Sequence, residues 1–145
     1  MSAVAVLEKR GILEKLFVSH GVVVAYPFGY QEEGTSGPLS DLDFAVLLGP
    51  AVKREAWSDV QIELMGELMS IFGRNDVDLV ILNRASPVLA QQVAEHGRVL
   101  YEGEPGARTE FEVVALRRYV DTEPLRRIQN RALLTPVEKY RAESS

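Results

Sequence analysis

The chain has 145 residues, no cysteine and a formal net charge of −5. That length suits one domain with a core able to stand without covalent staples, and the lack of cysteine excludes a disulfide scaffold. The acidic balance excludes a global attraction to nucleic acid, and no run approaches the ~18 apolar residues of a membrane span.

The opening stretch, MSAVAVLEKRGILEKLF, places its charges after the apolar residues. The pattern is amphipathic and unlike a secretory leader, so a cytoplasmic protein is expected. Over residues 3–19 the positions of Val6, Leu7, Leu13, Leu16 and Phe17 suit a helix weakened in its middle by Gly11. His20-Gly21 is its stop. VVVAYPFG is β-branched, short and closed by glycine, which predicts a buried strand. Pro27 confines the end of that strand to an edge or an exit.

Residues 30–40 are rich in Gly, Ser, Thr and Pro and read as a loop. DLDFAVLL, ended by Gly49-Pro50, is a second strand. From Val52 to Phe72, Trp57, Val60, Leu64, Leu68 and Ile71 recur every three or four residues, giving a long helix closed by Gly73. VDLVILN is a third strand. Ser86-Pro87 opens the next helix, serine as N-cap and proline at the first helical position, and Gly97 closes it. RVLYE is a short edge strand. Residues 109–120 and 124–134 are two further helices, with Asp121 or Thr122 capping between them. The order predicts a small α/β fold with a mixed sheet, because the loop after the first strand can join neighbours directly. A single domain over 1–145 is expected, with a helical extension at about 108–135.

Side chains alternate along a strand, so Asp41 and Asp43 share a face while Leu42 points into the core. Two carboxylates ~4 Å apart at an effective dielectric of ~20 repel by roughly 4 kcal/mol. Protonation, intervening water or a bound cation relieves this. Carboxylates without His or Cys nearby favour hard cations, Mg²⁺ above all beside phosphates. On the third strand Asp78 precedes LVIL much as Asp43 precedes AVLL, so pairing of the two strands would gather Asp41, Asp43 and Asp78. Asp76, beside the turn, is expected at the surface or as a cap. Gly29 ends the first strand and Gly34 follows five residues on; backbone amides bared there could grip a phosphate.

Gly29, ten residues, Ser40-Asp41-Leu42-Asp43 and a distant Asp78 together resemble the nucleotidyltransferase superfamily of the polymerase β type. ASPVLAQQVAEHGRVLYEGEP and RRYVDTEPLRRIQNRALL extend the likeness to nearly the whole chain. They are similar to the minimal nucleotidyltransferases, in particular MntA-type antitoxins encoded beside a HEPN-domain ribonuclease toxin. The resemblance implies two Mg²⁺ ions held by Asp41, Asp43 and Asp78, and ATP as substrate around Gly29, Tyr30 and Ser40. It implies transfer of AMP to a tyrosine of the toxin, which disables the ribonuclease. It further implies a hetero-oligomer with that toxin.

The chain departs from the family at one point: the family's Gly-Ser is Gly29-Tyr30, followed by Gln31, Glu32 and Glu33. Tyrosine can still present its backbone amide, but its hydroxyl is displaced by the ring, and the glutamates bring negative charge toward a triphosphate. Two readings therefore stand side by side: a working adenylyltransferase, and a degenerate fold that neutralises the toxin by binding alone. His20 and His96 stand at helix ends, where they suit the helix dipole. Trp57 and Phe72 are assigned to the core. Arg117, Arg118, Arg126, Arg127 and Arg131 form a solvated or partner-facing surface.

Overall fold

The structure is a computed structural model that describes residues 3–28 and 42–133. Four strands form one mixed sheet in the order β3-β2-β1-β4. β1 (Val22–Phe28) and β2 (Leu42–Leu48) are antiparallel neighbours, as a direct connection between them requires. β3 (Val77–Ile81) lies parallel to β2 after a crossover through α3 (Trp57–Phe72). β4 (Tyr101–Glu102) pairs with β1 only at Val24 and Ala25. Pro27, with no N–H to give, stands just past that short edge strand, where nothing among the described residues needs its donor.

Alternation along the strands divides the core in two. Leu42, Phe44, Val46 and Leu48 of β2, with Val77, Leu79 and Ile81 of β3, pack on α2 (Arg10–Ser19) and α3 through Leu13, Phe17, Leu64 and Leu68. The opposite face, with Val24, Tyr26 and Ala45, packs on α4 (Pro87–His96) and α5 (Ala107–Asp121) through Ala90, Val93, Phe111 and Ala115. α6 (Glu123–Leu133) follows α5.

Several boundaries follow the sequence closely. Ser86 caps α4 by accepting the Leu89 N–H at 3.2 Å, with Pro87 in the first turn. Gly73 closes α3 at φ 62, in the left-handed region that a residue with a Cβ avoids. His20 follows α2, its Nδ1 3.0 Å from the Leu16 carbonyl and its Nε2 3.5 Å from Glu63.

Others move. The expected helix over 3–19 is two helices, α1 (Ala3–Glu8) and α2, broken at Lys9, whose N–H turns back to Val6 at 3.1 Å. Val6 is buried and Leu7 exposed, so Leu7 leaves the stripe expected of it. The long helix begins at Trp57, not Val52. Val52 instead packs partly buried against the core near Gly21, and a 3₁₀ turn, Arg54–Ala56, leads into α3. Trp57 is only half-buried. The third strand ends at Ile81, because Leu82–Arg84 winds into a 3₁₀ turn. RVLYE contributes only its last two residues to the sheet. The last helix starts at Glu123, and Thr122 serves as the C-cap of α5, its Oγ1 donating to the Arg118 carbonyl at 2.8 Å.

Candidate active site

The parallel register of β2 and β3 sets Asp43 directly beside Asp78 as Cα partners. Strands ~4.8 Å apart carry partnered side chains on one face, so the two carboxylates are lateral neighbours. Both sit at the entry to their strands, ahead of Phe44-Ala45-Val46 and Leu79-Val80-Ile81, which hold the register by burial. On the other side of β2, Asp43 is the partner of Phe28, the last residue of β1. The end of β1, the start of β2 and the start of β3 thus meet at one rim of the sheet. Gly29, Tyr30, Ser40 and Asp41 lie outside the described residues, in the segment that joins Phe28 to Leu42.

Asp78 is exposed, and its Oδ1 accepts the N–H of Leu79 at 2.9 Å. β3 is an edge strand, and Leu79 directs its peptide groups outward. Its carbonyl is taken by Gln61 Nε2 of α3 at 2.7 Å. Gln61 Oε1 in turn accepts from Arg84 Nη2, while Arg84 Nη1 donates to Ser58 Oγ at 3.1 Å. The edge is therefore closed at Leu79 by side chains, which blocks strand addition and fixes the Asp78 carboxylate at one oxygen. Outside this edge lies an open groove of about 390 Å³ between α3 and α4, lined by Asp78, Arg84, Ser86 and Leu89 among others.

The Asp76 side chain takes no part in the rim. It is ion-paired with Arg74, whose side-chain hydrogen bond holds the Asp76 carboxyl below the ordinary carboxylate range. This is the surface role expected of it, and its carbonyl accepts the Leu42 N–H at 3.2 Å.

Behind the rim, on the same face, Tyr26 is fully buried and its hydroxyl donates to Glu112 Oε2 at 3.0 Å. Arg108 Nε reaches the same oxygen at 3.0 Å. Burial, then the Glu112 carboxylate, pushes the Tyr26 phenol well above its usual pKa. The trio anchors α5 to the sheet beneath the carboxylates. Neither it nor Gln61 was legible in the sequence, since the partners are 86 and 18 residues apart and no local pattern marks them.

Paired carboxylates at a sheet rim match a hard-cation site in donor chemistry, with oxygen ligands and neither His nor Cys beside them. The fold and this rim define a nucleotidyltransferase. The chain belongs to the family described as Polymerase beta, Nucleotidyltransferase, whose sequence model matches residues 12–105.

Among individual proteins, the chain is 36% identical over 92 residues to the protein adenylyltransferase MntA of Shewanella oneidensis, spanning 63% of this chain and 60% of that protein. It superposes with a TM-score of 0.70 and 29% identity on a chain of a toxin–antitoxin crystallised with AMP-PNP, covering 87% of this chain and 98% of that one. A chain of the tri-AMPylated Shewanella oneidensis HEPN toxin in complex with MNT antitoxin gives a TM-score of 0.67 at 27% identity, covering 88% and 98%. The likeness to minimal nucleotidyltransferases of the MntA type thus holds in sequence and in fold. Among the described residues no helix is long and apolar enough to cross a membrane.

Proposed function

We propose that this protein is a cytoplasmic antitoxin that transfers AMP from ATP to a tyrosine of a partner HEPN-domain ribonuclease toxin. The register of Asp43 with Asp78 carries the reading: two acids of the three-carboxylate set read from the sequence stand side by side at one rim of the sheet. Asp41, Asp43 and Asp78 would hold two Mg²⁺ ions. Bound there, the ions supply positive charge to the triphosphate as negative charge builds at its α-phosphorus.

The chain's own residues supply position. Asp43 and Asp78 are fixed by buried strands rather than by loops. Asp78 keeps Oδ1 on the Leu79 N–H, which leaves Oδ2 for a cation, and Asp78 or the metal it would help hold would assist deprotonation of the phenol. The phenolic oxygen forms a bond to the α-phosphorus, the bond from that phosphorus to the bridging oxygen breaks, and pyrophosphate leaves. The backbone at Gly29 and Tyr30, with Ser40, faces the phosphates in this reading.

The partner's seat is on the C-terminal helices. Val113, Leu116 and Val120 form an exposed stripe on α5 opposite its buried Phe111 and Ala115, and Leu125 and Ile128 are exposed on α6. Between Val113 and Leu133 five arginines outnumber two acids, in a chain that is acidic as a whole. An apolar stripe flanked by arginines suits a protein partner with an apolar, acidic face.

A second reading rests on Tyr30. Tyrosine in place of the family serine, with Glu32 and Glu33 after it, favours an antitoxin that acts by occlusion alone. Intact mass of the cognate toxin, after incubation with this protein, ATP and Mg²⁺, separates the two. A gain of AMP units lost in Asp41→Ala/Asp43→Ala supports transfer. An unmodified toxin that is nonetheless bound and inhibited supports occlusion.

A further inference from the structure

We infer that α5 is a self-pairing helix, which in the toxin-free protein packs antiparallel against α5 of a second copy. The seam is Val113, Leu116 and Val120, spaced by three and then four residues and each half exposed or more. That spacing sets the three in one line along the helix, opposite the buried Phe111 and Ala115. It is the spacing of the seam between two paired helices.

The charges beside the seam identify what covers it. Glu110 and Arg117 are seven residues apart, so they stand on one flank of the seam, two turns from each other. Both are exposed, and among the described residues neither side chain has an ion pair or a hydrogen bond. Antiparallel pairing brings equivalent flank positions of two helices together. With Val113 set against Leu116 of the second copy, Glu110 meets Arg117 of the second copy, and a two-fold axis repeats the contact in reverse. A parallel pair would instead carry Arg117 to Glu112, whose Oε2 already takes Tyr26 and Arg108. The other flank of the seam is occupied within the chain, where Arg126 of α6 lies over the Tyr119 ring at 3.9 Å.

The seam is short, so the dimer is weak and depends on concentration. It overlaps the seat proposed above for the toxin, and the two complexes therefore exclude each other. That exclusion rests on the toxin reading, whereas the pairing itself does not. Self-pairing covers the apolar stripe in the free protein and yields it to a partner that brings an apolar line and acids of its own.

The test is sedimentation velocity of the full, toxin-free chain over a concentration series at low and high salt. Wild type is expected to move from monomer toward dimer as concentration rises, and less so at high salt. Glu110→Arg and Arg117→Glu each set like charges together at both contacts and should weaken the dimer by about tenfold or more. An equimolar mixture of the two variants regains both contacts in the mixed dimer, and the double variant Glu110→Arg/Arg117→Glu regains them with itself. Both samples should associate as wild type does. Thermal melts identify a variant that has lost its fold, and the double variant keeps the test open in that case. A wild type that stays monomeric at every concentration, single variants that dimerise as well as wild type, or a mixture that does not recover overturns the pairing. Toxin that binds and leaves the dimer intact overturns the exclusion alone. Toxin that does not bind overturns the toxin reading and leaves the pairing standing.

Discussion

Asp43 and Asp78 are Cα partners in the only parallel ladder among the described residues, each at the entry to a strand whose remaining residues are largely buried. Their proximity is a property of the register, and a one-residue slip would turn one of them into the core. Asp43→Ala is therefore expected to lower AMP transfer by about a hundredfold or more while leaving the melting temperature unchanged or slightly raised, since a like-charge neighbour is removed. Intact-mass kinetics beside a thermal melt checks both halves, and a large fall in stability would assign Asp43 to the fold.

Gln61→Leu should uncover the Leu79 carbonyl on the sheet edge and release Arg84 from one of its two partners. The cost is about 1–2 kcal/mol of stability, from one lost hydrogen bond and an exposed edge group. Urea unfolding measures it. A midpoint equal to wild type would mean that water replaces the amide without loss.

Tyr26 supplies a pH dependence. Its phenol is raised in the folded state by burial and by Glu112, so the unfolded chain, with an ordinary value of 10.0, releases this proton first as pH rises. The stabilisation is complete below about pH 10 and declines above it, by at most about 1.4 kcal/mol per pH unit. Melts of wild type and Tyr26→Phe between pH 8 and about 11 should diverge, the variant falling less steeply.

On α5, Leu116 is 51% exposed on the face away from the core. Leu116→Asp is expected to change stability by no more than about 0.5 kcal/mol. The same change should weaken the complex with the toxin by about tenfold or more, read by titration calorimetry. Equal affinity would move the partner's seat elsewhere.

What the sequence disclosed was local chemistry. Ser86-Pro87 and Gly73 each fix a helix end through their own backbone preferences, and both stand where they were expected. The placing of Asp43 and Asp78 before two apolar strands became adjacency once those strands paired. Apolar periodicity, by contrast, could not tell a helix residue from a loop residue that also packs. Val52 fits the spacing of α3 yet lies ahead of it, and Leu7 fits the spacing of the first helix yet faces solvent. The contacts around the rim that join distant segments, Gln61 to Leu79 and Tyr26 to Glu112, leave no trace in any window of sequence.

The shortness of β4 has a consequence for how this rim can change over evolution. Because β4 stops at Ala25, the last residues of β1 are tied to the sheet by β2 alone among the described strands. A replacement just after Phe28 is therefore felt by β1 through one ladder among the described strands and meets no second strand there that it could misalign. Residue identity can vary there, as Tyr30 stands where the family resemblance implies a serine, while Asp43 and Asp78 keep their registration. The architecture separates what is free to vary from what must stay aligned.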